Sequence, residues 1–169
     1  MQGRDAHSTT EPALVDGRFK LRGSIDMIER HQTTNFLRVT DHKTGKNRTR
    51  VGQTVVDGGR VLQPVVYGLA LKALFPDETV FSGRLFFCTT AGGFTPYEIP
   101  LMGDAPKRGV EVLDIIDRAV EQGTLAARPA AEACDWCDFR VVCGDREVRR
   151  TARKDAKLFA DLEIGRAHV

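Results

Sequence analysis

Two aspartates and a lysine, Asp26, Asp41 and Lys43, are the residues whose types and spacing could support hydrolysis. Asp41 and Lys43 are two positions apart, which places both side chains on one face if they lie in a β-strand. Carboxylates bind Mg²⁺ or Mn²⁺, and the bound ion lowers the pKa of a coordinated water. The lysine ammonium can orient that water, and the backbone carbonyl of His42 can add a metal ligand. Taken alone this D-x-K pattern is weak, because a surface ion pair at a strand end has the same spacing.

Two neighbouring strands are needed to bring these carboxylates together. Residues 18–29 alternate apolar and polar side chains, as a half-buried strand does. Residues 36–40 predict a second strand, and residues 31–35 form a polar connector of hairpin length. If the two strands pair, Asp26 faces Asp41 across the hairpin.

An apolar segment follows at residues 60–75 and predicts a helix with Pro64 in its first turn. Gln63 and Tyr67 are four positions apart and therefore share one face of this helix. Spacing by three and four positions predicts another, core-facing set, made of Leu62, Val66, Leu69 and Ala73.

The remaining elements suggest a fold class. Residues 80–90 and 94–101 predict two more strands, and the Ala-Gly-Gly sequence at 91–93 between them indicates a hairpin. Residues 110–122 and 145–162 predict helices. Hairpins with helices between them predict an α/β sandwich with a mixed sheet.

Three of the four cysteines, Cys134, Cys137 and Cys143, lie within one short segment with the spacing C-x2-C-x5-C. In a reducing compartment such crowding favours a metal centre over disulfides. Thiolates at this spacing can bind one centre, but three ligands are one short of the usual four. Cys88, in a predicted strand, is the remaining cysteine, and zinc is the alternative metal.

Composition sets broad limits. The chain has 169 residues and a formal net charge of +2, so charge alone does not indicate a nucleic-acid partner. Basic clusters at residues 43–50 and 146–157 could neutralise phosphates, or could be solvated polar faces. No segment is apolar enough to cross a membrane or to act as a secretory signal, which predicts a cytoplasmic protein without a membrane partner.

The domain boundaries follow from these patterns. Residues 1–16 are polar and are expected to be a flexible lead-in, and residues 17–144 are expected to form the main domain, with the cysteine loop at 134–143. Residues 145–162 are expected to be a C-terminal helix. Residues 163–169 resemble the translated read-through of a sequencing adapter.

The sequence also carries a family resemblance. Gly23-Ser-Ile-Asp26, the segment from Leu37 to Gly45 that contains Asp-His-Lys-Thr-Gly, and the segment from Leu62 to Ala70 resemble successive motifs of RecB/AddB-type exonucleases, in the PD-(D/E)XK nuclease superfamily. The resemblance implies a three-layer α/β/α sandwich of the restriction-endonuclease-like type, with a mixed central sheet.

Roles for five side chains come with this resemblance. It implies that Asp26 and Asp41 bind Mg²⁺ or Mn²⁺ and that Lys43 positions the attacking water. It further implies that Gln63 and Tyr67 hold the catalytic lysine or a DNA phosphate.

The resemblance also implies a [4Fe–4S] cluster held by Cys134, Cys137 and Cys143 with one distant N-terminal cysteine. The sequence departs from that pattern, because no cysteine precedes Asp26 and no convincing helix with a metal-binding His or Glu does. His7 lies in a polar stretch and is given no role. We therefore expect the chain to correspond to the C-terminal part of a nuclease domain.

The expected activity is metal-dependent cleavage of DNA in end processing and double-strand break repair, with DNA and a helicase domain or subunit as partners. One alternative is a catalytically incomplete scaffold that binds DNA or a helicase. The other is a stand-alone CRISPR-associated exonuclease, which has the same chemistry.

Overall fold

The computed structural model describes residues 8–47, 55–59, 61–124, 126–129, 133–144 and 146–164. These residues divide into two compact units. One contains the described residues up to Leu113 together with Ile164, and the other spans Asp114–Glu163.

A mixed four-stranded sheet forms the centre of the first unit. Its strands are β3 (Met27–Arg30), β4 (Leu37–Lys43), β5 (Val80–Phe87) and β6 (Thr95–Pro100), in that spatial order. The β3–β4 and β5–β6 pairs are antiparallel, and β4 is parallel to β5. A separate antiparallel pair, β1 (Ala13–Val15) with β2 (Phe19–Leu21), precedes the sheet.

The turns explain why the hairpins close where they do. At the β3–β4 turn, the His31 amide donates to the Phe36 carbonyl at 2.9 Å, and Asn35 has a φ of 59°. At the β5–β6 turn, Gly93 adopts a φ of 70°, a left-handed conformation that glycine accepts without strain. Both hairpins were predicted from the sequence and are confirmed.

The first helix, α1 (Gln63–Leu74), connects β4 to β5 and packs on the sheet. Pro64 occupies its first turn, where the absent N–H costs little. The helix lies close to β5, because a Cβ added to Gly83 would stand 2.1 Å from the Pro64 carbonyl oxygen. This close approach places the start of α1 beside the middle of the sheet.

The second helix, α2 (Ala105–Glu121), begins with Pro106 in its first turn. A Cβ at its Gly109 would stand 2.6 Å from Val65 of α1, so the two helices are in close contact there. Together with the sheet, the helices enclose one apolar core, which consists of Leu37, Val39, Val56, Val61, Val65, Leu71, Val80, Leu85, Phe87, Ile99, Leu101, Ala105 and Val112.

Besides the C-terminal part of α2, the second unit consists of short elements. A 3-10 turn at Ala133–Trp136 precedes α3 (Arg140–Cys143), α4 (Glu147–Thr151) and a 3-10 segment at Ala156–Glu163. Glu147 is buried and paired with Lys154 at 2.9 Å and with Arg150 at 2.5 Å. The hydrogen bond from Lys154 and then that from Arg150 outweigh the effect of burial and hold the pKa of Glu147 below its usual value.

Several sequence-based expectations differ from the structure. The predicted strand at 18–29 is instead two strands, β2 and β3, with an irregular segment between them, and β1 lies inside the expected lead-in at 1–16. Ala13 and Val15 of β1 are buried, which gives this stretch a packed strand. The predicted helix at 145–162 is two short helical segments, with a break after Thr151.

The buried face of α1 was predicted only in part. Leu62 and Leu69 of the predicted set are partly buried and pack against the core, but the buried residues are Pro64, Val65, Gly68 and Leu71. The reason is that small residues allow the helix backbone to approach its neighbours, so Gly68 lies against Leu101 and Pro64 against Gly83. Apolar periodicity does not detect a contact surface made by glycine and proline.

The fold class is confirmed: a mixed four-stranded sheet flanked by helices, as in α/β restriction-endonuclease-like folds. Among the described helices, none has both the length and the apolar character needed to cross a membrane. Of the adapter-like tail, residues 165–169 lie outside the described part of the chain.

Candidate active site

The β3–β4 pair brings Asp26 and Asp41 to the same end of the sheet. Met27 pairs with Thr40, so Asp26, one residue before β3, lies beside Asp41 of β4. The Asp26 carboxylate accepts a hydrogen bond from the His42 amide at 2.8 Å through Oδ2. This bond anchors Asp26 to the residue between Asp41 and Lys43, and the same Asp26 oxygen lies 3.8 Å from the His42 Nδ1.

Asp41 and Lys43 lie on the same face of β4, with α1 over them. Asp41 is only 5% exposed, and its Oδ2 stands 2.7 Å from the Lys43 Nζ. Gln63, the first residue of α1, connects the two. Its Nε2 donates to Asp41 Oδ1 at 3.1 Å, and its Oε1 accepts from Lys43 Nζ at 2.5 Å. A glutamine can make both bonds because its amide carries a donor and an acceptor.

Tyr67, one turn further along α1, completes this contact chain more weakly. Gln63 Nε2 stands 3.4 Å from the Tyr67 hydroxyl, near the outer limit for a hydrogen bond. The structure therefore connects four of the predicted side chains, Asp41, Lys43, Gln63 and Tyr67, through direct contacts, whereas Asp26 contacts the His42 amide. His42 lies in the same strand, and its ring packs edge-on against Phe86 on the opposite face, with ring centroids 6.0 Å apart.

The two acids are oxygen donors of the kind that a divalent cation takes, although in the described part of the chain no three His, Cys, Asp or Glu side chains are grouped closely enough to hold one. Asp41 Oδ2 is buried, and among the described residues no donor makes a hydrogen bond to it, since Lys43 approaches it only as an ion pair. A buried carboxylate oxygen without a hydrogen bond is costly unless a cation compensates it, and in this structure the Lys43 ammonium does so from 2.7 Å away. Asp26, whose side chain is half exposed, lies beside β4 with its Oδ2 3.8 Å from the His42 Nδ1. Mg²⁺ commonly takes one or two carboxylates and completes its shell with water and phosphate oxygens.

The carbonyl of Lys43 is held by the end of β5. The Cys88 amide donates to it at 3.0 Å, and the Cys88 thiol stands 3.5 Å from it. Cys88, which the sequence left as a remaining candidate for metal binding, thus contacts the strand that carries Asp41 and Lys43. This contact fixes the end of β4 where the lysine emerges.

The opposite face of the sheet carries a charged network that the sequence did not predict. Glu29 of β3 accepts from Arg38 and Thr40 of β4 and from Arg84 of β5, at distances between 2.6 and 3.0 Å. Burial disfavours its charge, but the bonds from Arg38 and Thr40 and the charges of Arg38 and Arg84 outweigh burial and lower its pKa to about 2. The sequence signal that could have indicated this network was the alternation of polar residues in β3 and β4.

A comparison with known protein families identifies the superfamily of the chain. The model of the PD-(D/E)XK nuclease superfamily matches residues 2–144. The chain belongs to the PD-(D/E)XK nuclease superfamily. Its members are hydrolases that cleave nucleic acids and typically use Mg²⁺ or Mn²⁺. No curated protein and no solved structure matches the chain.

The predicted iron–sulfur cysteines of this PD-(D/E)XK protein lie in the second unit. Cys134 and Cys137 share a turn, with the Cys137 amide 3.5 Å from the Cys134 carbonyl, and Cys143 ends α3. All three are free thiols. Within the described residues, no three His, Cys, Asp or Glu side chains are grouped closely enough to hold a metal ion. The thiols suit a soft metal by ligand type, but they do not form a complete site.

Proposed function

We propose that the chain is a Mg²⁺- or Mn²⁺-dependent deoxyribonuclease domain with Asp26 and Asp41 as its metal ligands and Lys43 as its catalytic lysine. The observation that carries this proposal is the buried Asp41 Oδ2, which lacks a hydrogen bond and lies 2.7 Å from the Lys43 ammonium. The backbone carbonyl of His42 is the candidate for a third ligand. A bound divalent ion would supply Lewis-acid activation of water and of the scissile phosphate.

The chain's own residues have separate tasks in this proposal. Asp41 provides an oxygen ligand from β4, and Asp26 provides one from the position just before β3. Lys43 holds its ammonium where it can orient water and stabilise negative charge developing on a phosphate oxygen. Gln63 fixes the direction of the Lys43 side chain through its 2.5 Å bond, which limits the freedom of a long, flexible amine. Tyr67 supports Gln63 or a DNA phosphate.

The test is cleavage of labelled DNA by the Lys43→Ala variant in the presence of Mg²⁺ or Mn²⁺. We expect cleavage to fall by about a thousandfold, because electrostatic stabilisation by one group is worth this much, while DNA binding persists. Lys46→Ala is the matched control, since it removes one positive charge three positions further along the exposed chain.

Unchanged cleavage by Lys43→Ala would contradict the assigned mechanism. DNA binding by the wild type without cleavage, with either ion, would instead favour the scaffold function. Because Lys46→Ala also weakens the local positive charge, a similar loss in both variants would mean that Lys43 contributes only to DNA binding.

We further propose that the domain processes DNA ends in double-strand break repair, in the cytoplasm, together with a helicase domain or subunit. The support is the RecB/AddB-like order of the three sequence motifs. The same resemblance supports a [4Fe–4S] cluster at Cys134, Cys137 and Cys143 with a fourth ligand, and zinc remains the alternative metal. The proposal of a helicase partner is tested by measuring ATP-dependent degradation of linear DNA by the chain together with its associated helicase. The proposal of a cluster is tested by measuring the iron and zinc content of the protein.

A further inference from the structure

We propose that Glu29 is a positioning residue for the metal site, because it holds β3 in the register that places Asp26 beside Asp41. This inference rests on the proposed function for its consequence in catalysis, although its structural basis is independent. Glu29 lies three residues after Asp26, roughly 10 Å along an extended strand, so it acts through β3 and not by contact with a bound ion.

The first step is the weak attachment of β3. This strand has four residues, lies at the edge of the sheet, and among the described strands pairs with β4 alone. A slip of one residue would turn every side chain of β3 to the other face. Asp26 directly precedes β3, so such a slip would move it away from Asp41. The register of β3 therefore sets the spacing of the two carboxylates.

The second step is the specific bonding of Glu29. Its two oxygens receive Arg38 Nε at 3.0 Å and a terminal nitrogen of Arg38 at 2.9 Å, which is a bidentate pair across β3 and β4. Thr40 donates to it at 2.6 Å, and Arg84 donates at 2.8 Å from the next strand. One carboxylate thus connects three strands.

The third step is the cost of losing this arrangement. Thr40 is fully buried, and the side chains of Arg38 and Arg84 are 25% and 16% exposed. Arg38 also contacts Glu98 at 3.4 Å, so Glu29 is not its sole acid, but Glu98 itself accepts from Ser82. In a slipped register Glu29 would leave this face, and partly buried guanidinium groups would lose their main acceptor. The network therefore favours one register.

The test is a titration of the full chain with Mn²⁺ in the absence of DNA. The electron paramagnetic resonance signal of free Mn²⁺ measures how much of the ion is bound. Glu29→Gln keeps the shape of the side chain and removes its charge. We expect its Mn²⁺ dissociation constant to rise about tenfold, the lower end of the effect of removing groups that support metal ligands.

Glu78→Gln is the matched control. Glu78 forms a bidentate pair, at 2.7 and 2.9 Å, with Arg30, which like Glu29 is a residue of β3. Arg30 lies four residues from Asp26, roughly 13 Å along the strand. We expect Glu78→Gln to leave Mn²⁺ affinity unchanged even if it lowers the melting temperature. Equal affinities of the wild type and Glu29→Gln, or equal losses in both variants, would overturn the proposal.

Arg84→Lys covers the case in which Glu29→Gln does not fold. A lysine lacks the planar fork with which Arg84 bonds to Thr40 through Nε and to Glu29 through a terminal nitrogen, so Mn²⁺ affinity should fall in the same direction by a smaller factor. Wild-type affinity in a folded Arg84→Lys protein would also overturn the proposal. Wild-type protein that binds Mn²⁺ but cuts no DNA would contradict the nuclease function alone, whereas absence of Mn²⁺ binding would contradict both.

Discussion

At the scale of single residues, Gln63 shows how a neutral side chain can control a charged site. It donates to Asp41 and accepts from Lys43, and so keeps the acid and the ammonium in fixed positions. The sequence predicted Gln63 as a site residue from its motif and its spacing to Tyr67. The sequence did not indicate the two hydrogen bonds that Gln63 makes, one to Asp41 and one to Lys43, because these bonds require the start of α1 to lie over the end of β4.

Gln63→Met should lower the rate of DNA cleavage by about a hundredfold, because small misplacements of catalytic groups have effects of this size. Methionine has the same length and no amide, so the fold should persist. Tyr67→Phe should cause a smaller loss, since its contact to Gln63 is 3.4 Å long. The loss in each variant is measured as the single-turnover rate of DNA cleavage at saturating Mg²⁺.

Gln32→Met provides a control for the same chemical change on the exposed β3–β4 turn. Its cleavage rate should equal that of the wild type. If Gln63→Met also cleaves at the wild-type rate, Lys43 needs no support from α1, and the role given to Gln63 is incorrect.

Glu29 marks a limit of prediction at the same scale. Alternation within one strand shows which face a charged residue occupies, but not which charges meet across three strands. The partners Arg38 and Arg84 are separated by β-strand and helix segments in the sequence, and their convergence depends on the parallel pairing of β4 and β5. Site residues on the motif strands were predictable, and the network behind them was not.

At the scale of elements, the position of α1 depends on glycines. The helix and its approximate length were predicted from apolar periodicity, but its buried face was predicted only in part, because Gly83 and Gly68 admit the close contacts. A Cβ at Gly83 would meet backbone atoms of Pro64, whereas a Cβ at Gly68 would meet the flexible end of Leu101. Side chains can rotate away more easily than a helix backbone can shift.

Gly83→Ala should therefore lower the free energy of unfolding by about 3 kcal/mol, the upper part of the usual range for overpacking. Gly68→Ala should cost less, because alanine favours a helix over glycine by up to about 1 kcal/mol, which offsets the movement of Leu101. The free energies of unfolding of the two variants are compared by urea denaturation, with circular dichroism as the probe. Gly23→Ala, with open space around its Cβ, serves as the control. Equal stability of Gly83→Ala and Gly23→Ala would show that α1 can shift freely.

At the scale of the whole molecule, the chain consists of two units with different kinds of stabilisation. The first has an extensive apolar core, whereas in the described part of the second unit only Phe159 is a buried apolar side chain. Near the cysteines, Val141 and Val142 are 95% and 82% exposed. The sequence indicated a cysteine loop but not this division, because periodicity reports local faces and not the amount of core that each part can form.

A unit with so little core generally needs a metal or another cross-link, so we expect Cys134, Cys137 and Cys143 to bind iron or zinc with a fourth ligand. In protein purified without oxygen, Cys137→Ser should lower the metal content and make residues 114–163 sensitive to protease, while the first unit stays resistant. Cys88→Ser is the control, because Cys88 contacts the Lys43 carbonyl at the end of β4, and it should retain the metal. Elemental analysis distinguishes iron from zinc. Protein without either metal, and with the same protease pattern in wild type and Cys137→Ser, would show that the three thiols do not stabilise this unit.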